Sequence, residues 1–213
     1  SVDSGLRDFR SREGWWRNID PRTVATVEAL EGNYDLFHAF YCARIEALEG
    51  VRPHAGYDAL HRWPNLQRVA TQNVDGLHLA AGGVPVSELH GTLRRFRCHR
   101  CGAPAEKERF LAKERCACGG PLRPNVVLFG EALPEEPWNE ALEAIASADV
   151  VLVIGTSLQV YPVNQLPRLS RGRLILLNKE ETGMEHMFHT VLLSGARDGL
   201  LAIDRALRER GQA

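Results

Sequence analysis

Two close cysteine pairs constrain this chain more than any other feature of its sequence. Cys98 and Cys101 form a C-x-x-C, Cys116 and Cys118 form a C-x-C, and fourteen residues separate the pairs. Thiolates are soft ligands, and two tight turns that gather four of them suit tetrahedral zinc. Four protein ligands leave no open position for water, so the metal expected here is structural and stabilises a ribbon with little core of its own. Four free thiols are the bland alternative. Clustered pairs read as metal ligands before disulfides when no secretory signal opens the sequence, and none opens this one, so a cytoplasmic setting is expected. The C-x-C is shorter than the usual knuckle. His99 lies inside the first knuckle and is expected to point outwards rather than ligate.

The stretch Phe96–Leu122 that carries these cysteines is basic, punctuated by glycine and poor in core residues, as an inserted module would be. Around it the pattern changes. From Thr23 to Leu48 apolar residues recur at helical spacing, with a break at Gly32, and Pro53 opens another helix running to about Trp63. Leu66–Gln72, Val84–His90 and Asn125–Phe129 read as short strands, and Glu140–Ser147 as a helix. Asp149–Gly155 is almost purely apolar, as expected of a strand buried on both faces of a parallel sheet, and Leu174–Asn178 is a second such run. Asp198–Arg210 reads as an amphipathic closing helix. Alternating strands and helices argue for an α/β fold with a parallel sheet. At 213 residues the chain has room for one large domain and a smaller module, given roughly 150 residues per domain.

Charge narrows the function classes. The chain carries 26 basic and 27 acidic residues, a net charge of −1, so no global field holds nucleic acid or an anionic membrane. Arg94–Arg100 contains four arginines, but a solvated face of the ribbon explains them better than a nucleic-acid patch. The most apolar stretch, Ala148–Leu158, falls far short of the ~20 residues of a membrane span. Neither a membrane nor a specific nucleic acid is therefore expected as a partner.

Four polar clusters sit at strand ends. Gly155-Thr156-Ser157 follows the apolar run, where open α/β sheets bind ligands, and supplies N–H groups and hydroxyls for phosphate. Asn178, Lys179 and Glu180 close the next strand, where polar residues hold a ribose. Gln72-Asn73-Val74-Asp75 and Glu88-Leu89-His90-Gly91 close two shorter strands. Amides plus a carboxylate can hold a carboxamide and position a water, and a strand-end histidine can act as a general base. The bland reading of His90 is a structural histidine, and His38, His54, His61, His186 and His189 take that reading outright.

Together these motifs resemble the sirtuin family of NAD-dependent protein-lysine deacylases, specifically its bacterial class III members. The matching pieces, in order, are Ser4–Arg10, Thr71–His78, Glu88–Gly91, the four cysteines, Leu122–Glu131, Gly155–Ser157 and Asn178–Glu180. The resemblance implies a Rossmann-type sheet (1–14, 53–94 and 123–213) with a smaller lobe of helical insertion (15–52) and zinc ribbon (95–122), NAD and the acyl-lysine meeting between lobes. It implies a reaction in which the acyl oxygen attacks the nicotinamide ribose and nicotinamide leaves. His90 then activates a ribose hydroxyl, and free lysine and 2′-O-acyl-ADP-ribose result. Asn73 and Asp75 would join His90 as catalytic residues, gripping the carboxamide. Ser1, Phe9, Arg10, Trp16, Gln72, Val74 and Ala196 would join Gly155–Ser157 and Asn178–Glu180 in binding NAD. Phe9 would cover the reacting carbon, Arg10 would counter phosphate charge, and Lys179 is placed to add a phosphate contact. Val127, Phe129 and Gly130 would offer strand edges to an acylated-lysine peptide, opposite Leu158–Tyr161. A monomer is expected.

Tyr41 and Arg44 sit three apart on one predicted helix and resemble the Tyr/Arg pair of class III sirtuins. A guanidinium beside a phenol suits the distal carboxylate of succinyl-, malonyl- or glutaryl-lysine, while acetyl-lysine leaves the arginine unused. The alternative is a core tyrosine and a solvated arginine. Cys42, inside this motif, reads as a packing residue. Two departures from the family stand out. Its glycine-rich phosphate loop would end at Ser1, with the glycines preceding this sequence, and Leu128 replaces a common Trp, which should loosen a wall near the substrate. Mono-ADP-ribosyl transfer, NAD hydrolysis and a non-catalytic NAD or ADP-ribose sensor are the competing functions. An intact His90, Asn73 and Asp75 set argues against each.

Overall fold

A computed structural model describes residues 2–6 and 19–211 of the chain. The described residues pack as two compact units, each assembled from three separate stretches.

The first unit comprises residues up to Arg52, Thr71–Leu77 and His90–Pro134. Three helices open it, α1 (Pro21–Val24), α2 (Val27–Gly32) and α3 (Tyr34–Glu46), where the periodicity suggested one run broken at Gly32. Side-chain caps make the extra division. Asp20, Thr26 and Asn33 each accept a backbone N–H of the helix they precede, from Arg22, Ala29 and Leu36. A cap that satisfies an orphan donor begins a new helix even within an apolar pattern.

The same unit contains an antiparallel sheet ordered β4-β3-β5, with β3 at Gly91–Cys98, β4 at Pro104–Ala105 and β5 at Leu122–Val126. The short helix α6 (Lys107–Leu111) follows β4. Leu30, Phe37, Phe40, Tyr41 and Ile45 from the helices form one core with Leu93, Phe96, Phe110, Leu122, Val126 and Leu128. The cysteine module is therefore better supplied with core residues than its sequence suggested. Phe96, Phe110 and Leu122 are all buried, and they pack against the helical insertion rather than against each other alone. The strand expected at Asn125–Phe129 instead ends at Val126, and its first half pairs with β3 inside the ribbon.

The second unit comprises Pro53–Ala70, His78–Leu89 and the chain from Glu135 onward. A parallel sheet runs in the order β6 (Val150–Ile154), β7 (Arg173–Asn178), β8 (Thr190–Leu193). β7 is central, with Leu176 and Leu177 fully buried. β6 is only partly buried and Val150 is 52% exposed, which corrects the expectation of a strand covered on both faces. Among the described residues β6 pairs with β7 alone. The helices here are α4 (Ala55–His61), α7 (Glu135–Ser147) and α8 (Ala196–Glu209). Gly199 lets α8 lie against β7, because a Cβ there would collide with Leu177. Leu60, Leu177 and Leu200 form the centre of this core, and Trp63 donates its indole N–H to Asp204 on α8 at 3.0 Å. The short strands β1 (Val69–Thr71) and β2 (Val86–Glu88) pair with each other, and the short helix α5 (Leu77–Ala81) lies between them in sequence. Among the described residues no helix is long and apolar enough to cross a membrane.

Candidate active site and metal centre

The four cysteine sulfurs all lie within 4.8 Å of one another. Cys98 Sγ is 3.5 Å from Cys118 Sγ, and Cys101 Sγ is 3.7 Å from Cys116 Sγ. A zinc–sulfur bond of about 2.3 Å implies tetrahedron edges of about 3.8 Å, so the donor set fits one zinc ion. Two backbone turns gather them: Gly102 N–H donates to Cys98 O at 3.1 Å and Gly119 N–H to Cys116 O at 2.7 Å. The second turn accommodates the shortened C-x-C. Gly120 must stay small, since a Cβ there would stand 2.7 Å from Cys98 Sγ. Burial opposes ionisation of the Cys98 thiol, but backbone N–H groups of Cys101 and Arg100 and the neighbouring thiols outweigh it, leaving the pKa lowered to about 6. A thiol so disposed is ready to serve as a thiolate ligand. His99 turns away from the sulfurs, as expected. Its Nε2 meets Glu31 at 3.2 Å and its Nδ1 faces Arg123 at 3.5 Å.

β3 organises the residues expected to do chemistry. His90 occupies the tight turn that precedes it, half-buried, and Gly91 follows with φ +69°. A Cβ at Gly91 would run into the Asn125 carbonyl oxygen, so this turn requires glycine. The His90 carbonyl accepts the Val127 N–H at 2.8 Å. Three residues on, Leu93 N–H donates to Val74 O at 2.8 Å and Arg94 Nε–H donates to Asp75 O at 2.8 Å. The loop Gln72–Asp75 is thus held by its carbonyls on the strand that His90 begins. Within it, Asn73 is exposed and its N–H donates to Thr71 Oγ1 at 3.1 Å. Asp75 is buried at 5% exposure, and its Oδ1 accepts the Leu77 N–H at 2.8 Å.

α3 brings the Tyr41 and Arg44 pair to the same unit. Tyr41 is buried, and burial, offset in part by Arg44 and Arg123, pushes its hydroxyl up to about 12. Arg44 lies over the Phe40 ring, 5.6 Å from its centroid. Burial lowers its pKa from the ordinary arginine value, opposed by Tyr41 and Asp75. Cys42 packs beside His38, whose Nε2 is 2.7 Å from the Phe110 carbonyl.

The expected substrate edge, Val127–Gly130, follows β5. Phe129 has its N–H on Ala25 O at 2.9 Å, while its carbonyl accepts Val27 N–H at 3.3 Å. Its backbone is thus already committed within the protein, and its exposed ring is the group it presents. Leu128 is 1% exposed and belongs to the core.

In the second unit, Gly155 ends β6 with φ +59° and nothing within 4 Å of where a Cβ would stand. That open cradle, followed by Thr156 and Ser157, suits a phosphate approaching backbone N–H groups. Leu158 next to it holds φ +54°, and its N–H donates to Thr156 Oγ1 at 3.1 Å. Asn178 closes β7 with its side-chain amide donating to Glu180 O at 2.7 Å, and Lys179 lies between them. Ala196 is the first residue of α8, a helix of 14 residues. Ser1, Phe9, Arg10 and Trp16 lie outside the described residues.

Arg123 and Glu131 escaped the sequence reading, although both lie in the Leu122–Glu131 stretch that carried the resemblance. β5 ends at Val126, so the two residues do not lie on one element whose period would mark them as partners.

Residues 1–162 match the family model described as the Sir2 family. An NAD-dependent protein deacetylase 1 of Geobacillus kaustophilus is 44% identical over 200 residues, covering 90% of this chain and 83% of its own length. An NAD-dependent protein deacylase of Mycobacterium tuberculosis is 40% identical over 196 residues, covering 85% of this chain and 83% of its own. Among solved structures, a Sir2 homologue in complex with NAD has a TM-score of 0.91 at 32% identity, covering 98% of this chain and 86% of its own. A Sir2 variant with a deacetylated p53 peptide and 3′-O-acetyl ADP ribose has a TM-score of 0.87 at 27% identity, covering 99% of this chain and 89% of its own. A family match over three quarters of the sequence, with a four-thiol cluster and a parallel sheet of the kind the motifs predicted, makes this chain a member of the Sir2 family.

Proposed function

We propose that this chain is an NAD-dependent protein-lysine deacylase that removes acetyl groups and, through Tyr41 and Arg44, acidic acyl groups such as succinyl. The observation that carries the reading is that His90, the Asn73–Asp75 loop and the Tyr41/Arg44 pair all belong to one unit, the first two bonded to the same strand, β3. NAD, the consumed co-substrate, supplies the ribose carbon that the acyl oxygen attacks and carries the acyl group away. His90 takes the proton of a ribose hydroxyl, a role worth about 10²–10⁴-fold in rate. Asn73 and Asp75, with Gln72 and Val74 beside them, hold the departing carboxamide. In the second unit the Gly155–Ser157 turn and the start of α8 at Ala196 receive phosphate, and Asn178, Lys179 and Glu180 receive ribose. Ser1, Phe9, Arg10 and Trp16 complete the proposed NAD contacts. Val127, Phe129 and Gly130 take the acylated peptide, and the Arg44 guanidinium beside the Tyr41 hydroxyl takes a distal carboxylate. Cys98, Cys101, Cys116 and Cys118 hold one structural zinc, which closes the ribbon and takes no part in proton transfer.

The test is nicotinamide release from NAD with acetyl-lysine and succinyl-lysine versions of one peptide. Release that requires either acylated peptide is the expected result. Release without peptide would instead indicate an NAD hydrolase, and NAD binding without release a sensor.

A further inference from the structure

The side chain of Arg123 is fully buried, yet it is charged, and its hydrogen-bond partners belong to one short stretch of chain and the knuckle beside it. Its guanidinium meets Glu131 in a bidentate pair, with NH1 to Oε1 at 2.6 Å and NH2 to Oε2 at 2.9 Å. NH2 also donates to the Val126 carbonyl, Nε–H to the Pro124 carbonyl at 3.3 Å, and NH1 faces His99. Glu131 in turn accepts the Leu128 N–H at 2.8 Å, while its own N–H donates to Leu128 O at 3.0 Å. Arg97 lies 3.5 Å from the same carboxylate. Burial would raise the Glu131 pKa, but these donors outweigh it and hold it below the ordinary glutamate range. One ion pair therefore gathers both ends of the Val127–Gly130 turn, whose first N–H rests on the His90 carbonyl.

We propose that Arg123 and Glu131 are a positioning pair that preforms the Val127–Gly130 turn for the acylated peptide. The proposal rests on the deacylase reading for the identity of the peptide. A buried ion pair is a poor device for stability alone, because apolar residues of similar volume usually serve as well. What it adds is a defined shape. Ordering a loop on binding costs about 1–2 kcal/mol per residue. A loop that must order one further residue should therefore bind roughly tenfold more weakly.

The test uses Glu131→Gln and the double variant Arg123→Met with Glu131→Leu, which removes both charges at once. Acylated-peptide binding is followed by fluorescence anisotropy and NAD binding by calorimetry. A peptide Kd raised about tenfold with the NAD Kd within twofold is expected. A peptide Kd within twofold of the parent in a folded variant overturns the proposal. Should neither variant fold, hydrogen exchange on the unaltered protein decides. Leu128 must be strongly protected without peptide, and exchange at the rate of an open loop overturns the pairing. A parent protein that binds no acylated peptide would overturn the deacylase reading instead, and Leu128 exchange would still test the clamp.

Discussion

His90 sits in a turn that only glycine can continue, and three single substitutions separate its proposed role from that of its surroundings. His90→Ala should lower deacylation by about 10²–10⁴-fold while leaving the denaturant midpoint unchanged; retained turnover would remove it as the base. Gly91→Ala should destabilise the protein by about 1–3 kcal/mol in denaturant titrations, since it forces a left-handed residue into the Asn125 carbonyl. Arg44→Met should spare deacetylation and cut desuccinylation at least about tenfold, the worth of a charge-assisted hydrogen bond. Equal losses on both substrates would end the carboxylate-clamp reading. At this scale Tyr41 and Arg44 were legible because a helix places residues three apart on one face. The placement of Arg44 over the Phe40 ring was not legible, because it depends on how the side chains of α3 pack.

Among elements, α3 carries the proposed acyl-pocket pair and owes its start to Asn33. Replacing that cap with Ala should cost about 1 kcal/mol in thermal or chemical unfolding, with the loss recovered by Asn33→Ser. Helices were read more accurately than strands. α8 is long enough for its period to show and appears close to the expected bounds, while α7 ends where expected but begins at Glu135, five residues before the expected start. β5 contains Pro124 and begins at Leu122, three residues before the expected strand. The ribbon tolerates that proline because it sits beside the register shift between Thr92 and Phe96, where the ladder is already interrupted. Whether β6 is an edge or a central strand depends on its neighbours, which an apolar run cannot reveal.

On the scale of the whole molecule, zinc and acid should act in distinguishable ways. Chelation should open the cysteine turns and raise hydrogen exchange across β3–β5, while β6–β8, whose core contains no cysteine ligand, keep their protection. Uniform loss of protection would contradict this picture. Acidification should affect both units. Glu131 in the first unit has its folded pKa held down chiefly by Arg123 against the effect of burial. In the second, Asp204 is held down by Arg208 and Trp63. Each contributes stability that is present at neutral pH and is lost as pH falls below the ordinary carboxylate range through the folded value. Glu131→Gln should therefore flatten the acid limb of the stability profile, measured as unfolding free energy against pH.

Chemistry that depends on spacing along the chain was determined by sequence alone. The cysteine pairs meet at one point because each pair is already a turn. The Gly155–Ser157 turn follows from the strand that ends before it, and Tyr41 and Arg44 share a helix face by periodicity. Only the tertiary structure decided which distant segments share a frame. β3 holds the Asn73–Asp75 loop on one side and receives the Val127 turn at the other. Arg123 finds Glu131 across that turn, and the phenylalanines of the ribbon join the core of the helices. Those pairings depend on burial and on hydrogen bonds between segments far apart in sequence, and no local period records them.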